Sequence, residues 1–370
     1  MKYNFILVPV IIFSLLSGCS TKTDNTEIGT IKAYCIDFNW GEGGPNGFAP
    51  PGLWADADPA AHVNWYESLG CNVIQSFAVS CNGYAWYKNG IVPEQPGLKN
   101  DFLTEQVKLA HKKKIKVFAY FCAGSNTRWG LENSDYSYGI PALPHIPYTT
   151  RYLDFLCASI KDAIKKTGVD GVFIDWLWNP GPVMEPYPPL MWIACEQEMF
   201  AELMDRPFPG IDNITPDIEL QFRRKAIDRT WKRIKETVKK TDPDCIIWLT
   251  CAQLTSKDIS DSDLLREVDW VLNEAGDIAT TASARSMLGE NTRMITCLAN
   301  WNGQDAAVVI PAAIKEKIGL YGFTKPVQGS ILPPVDHYLS IHPDSLKGDA
   351  RNIALLARAY KGLSSDYVKK

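Results

Sequence analysis

The chain has 370 residues, enough for one large domain or two ordinary ones. Its 46% hydrophobic and 22% charged residues are the composition of a folded globular protein and exclude a disordered one. A formal charge of −4 carries no basic excess, so nucleic acid is not an expected partner.

Taken in chain order, residues 1–19 come first and do not read as part of the fold. Lys2 supplies a short positive start, and Phe5 to Leu16 form an apolar run too short for a comfortable membrane-spanning helix, which needs roughly 20 residues. The end, Leu16-Ser17-Gly18-Cys19, resembles the lipobox of bacterial lipoproteins. That resemblance implies cleavage before Cys19 and lipidation of its sulfur. An ordinary secretory signal or a membrane anchor is the alternative. Residues 20–29 are polar and without helix or strand pattern, as a tether would be. The expected location is the bacterial cell envelope, either the periplasm or the outer-membrane surface, with a lipid anchor as the only membrane contact. Nine of the ten cysteines follow Cys19, an odd number that cannot all pair within one chain. Most lie in apolar runs, there is no CxxC, and no histidine falls at metal-ligand spacing from a cysteine. Neither a metal nor another cofactor is expected.

From residue 30 to 368 eight short apolar runs recur, at 31–38, 72–79, 116–123, 171–176, 245–252, 269–275, 293–300 and 319–323. Near-continuous apolar runs are expected of strands covered on both faces. Helical patterns alternate with them, at 58–69, around Leu103, Val107 and Ala110, and through Leu153, Leu156, Ile160 and Ile164. The third of these is capped by Thr149 or Thr150 and stopped by Gly168. A long helix is predicted from about 216 to 240, followed by weaker ones at 256–267, 278–288, 303–317 and 349–361. The proline-rich segment 179–215 reads as an elaborated loop after the fourth strand. Eight strand–helix units in this length predict a single (β/α)8 barrel. A doubly wound open sheet also alternates, but no GxGxxG or GxxxxGK[ST] follows any strand.

In such barrels a site is built where strands end. The strand-end positions here hold Asp37 and Trp40, then Asn82, Tyr84 and Trp86, then Arg128 and Trp129. They continue with Asp175 and Trp176, Asn273 and Glu274, and Asn300 and Trp301. Amides and carboxylates pair with hydroxyls, and aromatic faces cover the C–H face of a sugar ring. The expected partner is therefore an oligosaccharide or glycan, with Trp65, Trp231, Trp248 and Trp270 assigned to the core. Glycoside hydrolysis needs two carboxyl groups, roughly 5–5.5 Å apart in retaining enzymes. Asp175 and Glu274 are the best-placed pair, as nucleophile and acid/base. Glu185, Glu196, Glu198 and Asp336 are alternatives for the acid, and Asp37 is expected to bind a substrate hydroxyl or orient a neighbour. Asp170 reads as no more than the start of the fourth strand.

The segments 62–87, 101–121 and 170–176 (DGVFIDW) resemble the alpha-L-fucosidase-like glycoside hydrolases, on their bacterial hypothetical glycosyl hydrolase branch. The resemblance covers roughly residues 30–180. It implies a TIM-barrel hydrolase with Asp175 as nucleophile, whereas Glu274 rests on the strand reading alone. Family members carry His-Asp-Gly or His-His-Asp-Gly after the second strand. This chain has Ser80-Cys81-Asn82-Gly83, without imidazole or carboxylate, which argues against fucose as the substrate. The expected activity is that of a retaining, exo-acting glycoside hydrolase. A carbohydrate-binding lipoprotein without catalysis is the alternative, and a metal-dependent barrel hydrolase lacks its histidine cluster.

Overall fold

A computed structural model describes residues 29–41, 48–139, 145–177, 190–251, 254–274, 277–299 and 303–369. Its centre is a closed barrel of parallel strands in sequence order. The strands are β1 (Lys32–Ile36), β2 (Val73–Val79), β3 (Lys116–Cys122), β4 (Gly171–Asp175), β5 (Ile246–Cys251), β6 (Trp270–Asn273), β7 (Arg293–Leu298) and β8 (Gly319–Thr324). β8 pairs back onto β1, with Lys32 opposite Leu320, so no strand edge is left open. The (β/α)8 barrel predicted from the sequence is the fold observed.

The helices form where the sequence caps them. Asp58 accepts a hydrogen bond from the Ala60 N–H and opens the helix Pro59–Leu69. Thr149 opens the helix Thr150–Thr167, and Gly168 closes it at φ 68°. Thr215 opens the long helix Pro216–Thr241. These hydroxyls and carboxylates satisfy backbone donors that a helix start leaves unpaired. Two expectations change. The segment 179–215 holds a helix, Ala194–Met204, whose start is fixed by Glu196 accepting from the Ile193 N–H. The helix predicted at 256–267 shrinks to Leu264–Glu267, and the residues before it form turns from which Ile259 still reaches the core.

Strand alternation decides what fills the barrel. Phe118 stacks 4.7 Å from Trp270 and lies 5.4 Å from Trp248. Above them Phe173 meets Tyr120 at 5.9 Å and Tyr321 at 6.0 Å, and the Tyr321 hydroxyl donates to Gln75. Gly171 is the inward residue at the foot of β4. A β-carbon there would sit 2.4 Å from the Phe118 ring, so that ring occupies the space. Trp65, Trp231, Trp248 and Trp270 are buried, as expected. The lower and middle barrel is thus an aromatic plug, and polar groups find room only above it.

Candidate active site

The residue two steps beyond Phe173 on the same face of β4 is Asp175. Its carboxylate is held at both oxygens. The Tyr120 hydroxyl donates to Oδ2 at 2.7 Å, and the Trp176 N–H donates to Oδ1 at 2.9 Å. The chain then leaves through Trp176 at φ 54°, a left-handed backbone that a bulky residue rarely adopts and that costs on the order of 1–3 kcal/mol. The turn is braced from outside. The Tyr148 hydroxyl donates to the Trp176 carbonyl, and the Ala123 N–H donates to that of Asp175. A strained residue is therefore held directly beside this carboxylate.

Two further acids share the space. Glu274 follows β6, and its Oε2 accepts from the Thr250 hydroxyl of β5 at 3.0 Å. Asp37 follows β1, and its Oδ1 accepts from the Asn39 N–H at 2.8 Å. The three sense each other electrostatically. Burial pushes Asp175 up to about 6, against the lowering pull of its Tyr120 and Trp176 donors. Burial, then the charge of Asp175, pushes Glu274 up to about 8. Burial raises Asp37 to about 7, with Asp175 adding to the effect. Among the described residues, no cation offsets the charge of any of the three. An acid cluster without a counter-cation is costly to fold and is the arrangement acid–base chemistry uses.

Around the acids runs an aromatic wall. The half-buried Trp40 bonds through its side chain to Asp37, and its ring lies 5.6 Å from Phe48. Phe48 in turn lies 6.0 Å from Trp176. Tyr84 is half-buried under the Arg128 guanidinium. Lys325 Nζ reaches the Gly41 carbonyl at 3.4 Å.

Other expected ligand contacts turn inward instead. Trp86 is 1% exposed, stacks on Phe38 at 4.4 Å and donates to the Ser80 hydroxyl. Trp129 packs against Tyr152 and Phe155. Asn82 spends its amide on the Ala49 carbonyl, Gln95 and the Tyr84 N–H. Asn273 is fully buried and bonds to Thr281 and the Leu254 N–H. Arg128 is consumed by the Gly83 carbonyl and Glu132. These five correct the expectation: each is saturated by protein partners. Among the alternative acids, Glu196 is buried beneath the Tyr138 hydroxyl and Asp336 pairs with Lys369. Glu198 stands exposed on the helix Ala194–Met204, not on a loop. Cys19, Glu185, Asn300 and Trp301 lie outside the described residues. The sequence reading missed Tyr120, Thr250 and Phe48.

A strand-end nucleophile candidate inside a closed parallel barrel can now be set beside known proteins. Residues 58–176 match the family described as Hypothetical glycosyl hydrolase 6. The matched segment starts at the cap of the first helix and ends one residue past Asp175, so this glycosyl hydrolase segment holds that aspartate and Tyr120 but not Glu274. No curated protein matches the chain. Among solved structures, alpha-L-fucosidase isoenzyme 2 from Paenibacillus thiaminolyticus is similar with TM-score 0.64 and 15% identity, over 90% of this chain and 49% of that one. The PgaB (BpsB) glycoside hydrolase domain from Bordetella bronchiseptica gives 0.56 and 13%, over 93% and 100%. A beta-galactosidase from the psychrophilic Marinomonas ef1 gives 0.57 and 11%, over 91% and 61%. At these identities the structural likeness shows the barrel fold. The chain spans about half the length of the fucosidase.

Proposed function

We propose that the protein is a retaining, exo-acting glycoside hydrolase with Asp175 as nucleophile and Glu274 as acid/base. The observation that carries this reading is the placement of two carboxyls, one ending β4 and one just beyond β6, near enough that the charge of Asp175 adds to burial in raising Glu274 and leaves Asp175 the more acidic of the two. Near neutral pH one is ionised while the other keeps its proton, the state the first step needs. An Asp175 oxygen bonds to the anomeric carbon as the glycosidic C–O bond breaks, and the Glu274 proton passes to the leaving oxygen. Water then attacks the glycosyl–Asp175 ester, giving its proton to Glu274 and freeing the carboxylate. Asp37 is 8% exposed, whereas Asp175 and Glu274 are only half-buried and stay within reach of a sugar entering from the mouth. Trp40, Phe48 and Trp176 would line the apolar face of the sugar.

The charge of the site bears on the sugar. The three acids disfavour a uronic, sialic or sulfated residue beside them and favour a neutral glycan, the Lys325 ammonium being turned to the Gly41 carbonyl. Export and attachment through Cys19 are part of the same proposal and rest on residues 1–19 of the sequence.

A panel of 4-nitrophenyl glycosides tests the reading. The parent protein should turn over at least one neutral member with the first product formed in the substrate's own anomeric configuration. Asp175→Ala should lose turnover roughly 10⁴-fold while still binding sugar. Sugar binding without turnover anywhere in the panel would leave a carbohydrate-binding protein in its place.

A further inference from the structure

The loop after β2 holds Ser80, Cys81 and Asn82, and none of the three is spent on the mouth. Ser80 accepts from Trp86, and Asn82 is saturated by protein groups. Cys81 lies between, its N–H bonded to Asn39 Oδ1 at 2.8 Å and its Sγ 3.3 Å from the Tyr120 hydroxyl. Tyr120 in turn donates to Asp175. Its ring is already packed by Phe77 at 5.0 Å and Phe173 at 5.9 Å. A phenylalanine would fill that place equally well, so packing does not explain the hydroxyl.

The direction of the chain of bonds follows from chemistry. A phenol has one proton, and a carboxylate accepts it far better than a thiol does. Burial raises both the Tyr120 phenol and the Cys81 thiol well above their ordinary values, so both keep their protons. The order is therefore Cys81 S–H to Tyr120 oxygen, then Tyr120 O–H to Asp175. We propose that Tyr120 is a positioning residue that fixes the orientation and ionisation of Asp175, and that the Cys81 thiol fixes the Tyr120 hydroxyl. This rests on reading Asp175 as the nucleophile. Groups facing the pair from neighbouring elements are Asp37 beyond β1, Cys122 on β3, Tyr148 before the helix Thr150–Thr167, and Glu274 beyond β6. Apart from Tyr148, which burial keeps protonated, and Cys122, which sits beside Cys81, these are acids and oppose ionisation. Donors are what remain to favour it.

The test needs no substrate. Asp175 is titrated by carboxyl-carbon NMR in aspartate-labelled full-length protein, its signal assigned by loss in Asp175→Asn. Tyr120→Phe should raise its midpoint by roughly one pH unit. Cys81→Ala should move it the same way by less, and Cys81→Ser, which keeps a donor, should restore it. Near-UV circular dichroism checks that each variant is folded. On an aryl glycoside, Tyr120→Phe should lower kcat tenfold or more with KM little changed, and move the acid limb of the pH profile upward with the NMR midpoint. An Asp175 midpoint unmoved in folded Tyr120→Phe overturns the proposal. A moved midpoint in a protein that hydrolyses nothing sustains the Tyr120–Asp175 coupling and sinks only the hydrolase reading.

Discussion

Strand β4 is bracketed by two aspartates of opposite character. Asp170, just before it, accepts from His111 Nε2 at 2.8 Å and the Val117 N–H at 2.9 Å, with Lys116 Nζ at 3.5 Å. Those partners outweigh burial and hold its carboxyl below the usual range, the His111 bond contributing most. Asp175, at the other end, has donors but no cation, and burial pushes it up to about 6. Strand β6 repeats the pattern. Asp269 before it meets Lys239 at 3.0 Å and the Ile247 N–H at 2.8 Å, while Glu274 after it meets only the Thr250 hydroxyl and other acids. The amino ends of the strands carry acids that are paired and hold the fold together. The carboxyl ends of β4 and β6 carry acids with donors but no cation among the described residues, at a cost in stability, the arrangement the proposed chemistry would use.

That contrast can be broken at either end. At the chemical end, Glu274→Gln should lower turnover of a poor leaving group roughly 10²–10⁴-fold, with a smaller loss on 4-nitrophenyl glycosides that need no proton. Comparing rates on the two leaving groups checks it. At the structural end, Asp170→Ala should cost about 2 kcal/mol in denaturant unfolding, since charged hydrogen bonds are removed together, with specific activity of the folded fraction unchanged. The two ends also differ in sign with pH. Asp37, Asp175 and Glu274 bind protons more tightly folded than unfolded, where their values are about 3.9 to 4.3. Their contribution is full below pH about 4 and lost as pH rises through about 6 to 8. Asp170 contributes above about 3.9 and its contribution disappears as pH falls through its lower folded value. Thermal melts across pH 4–8 should therefore decline toward the alkaline side in the parent and flatten in Asp175→Asn and Glu274→Gln, without flattening in Asp170→Ala.

The strands were legible because each is an apolar run between polar stretches, and every observed strand agrees with its run to within two residues at either end. The acids were legible because strand ends face the mouth. The expectation for Asn273 failed for a reason equally physical. Neighbouring residues on a strand point to opposite faces, so Asn273 and Glu274 cannot both look into the barrel. Once Glu274 is assigned inward, Asn273 belongs to the helix side, where Thr281 receives it. The same alternation could have found Tyr120, two residues before Cys122, which pairs with Asp175 across β3 and β4. In a run such as KVFAYFC a tyrosine looks like one more core ring until its hydroxyl's neighbour is known. Phe48 carried no signal, since a lone phenylalanine beyond a glycine-rich turn has no periodicity to place it.

Residue 29 lies beside the foot of β7, where Arg293 donates to the Gly29 carbonyl, and β1 starts three residues later. The chain thus enters at the floor, a full strand length from the three acids. A bead, a surface or a fusion partner joined ahead of that point would leave the opening pointing outward, accessible to glycans too large to diffuse.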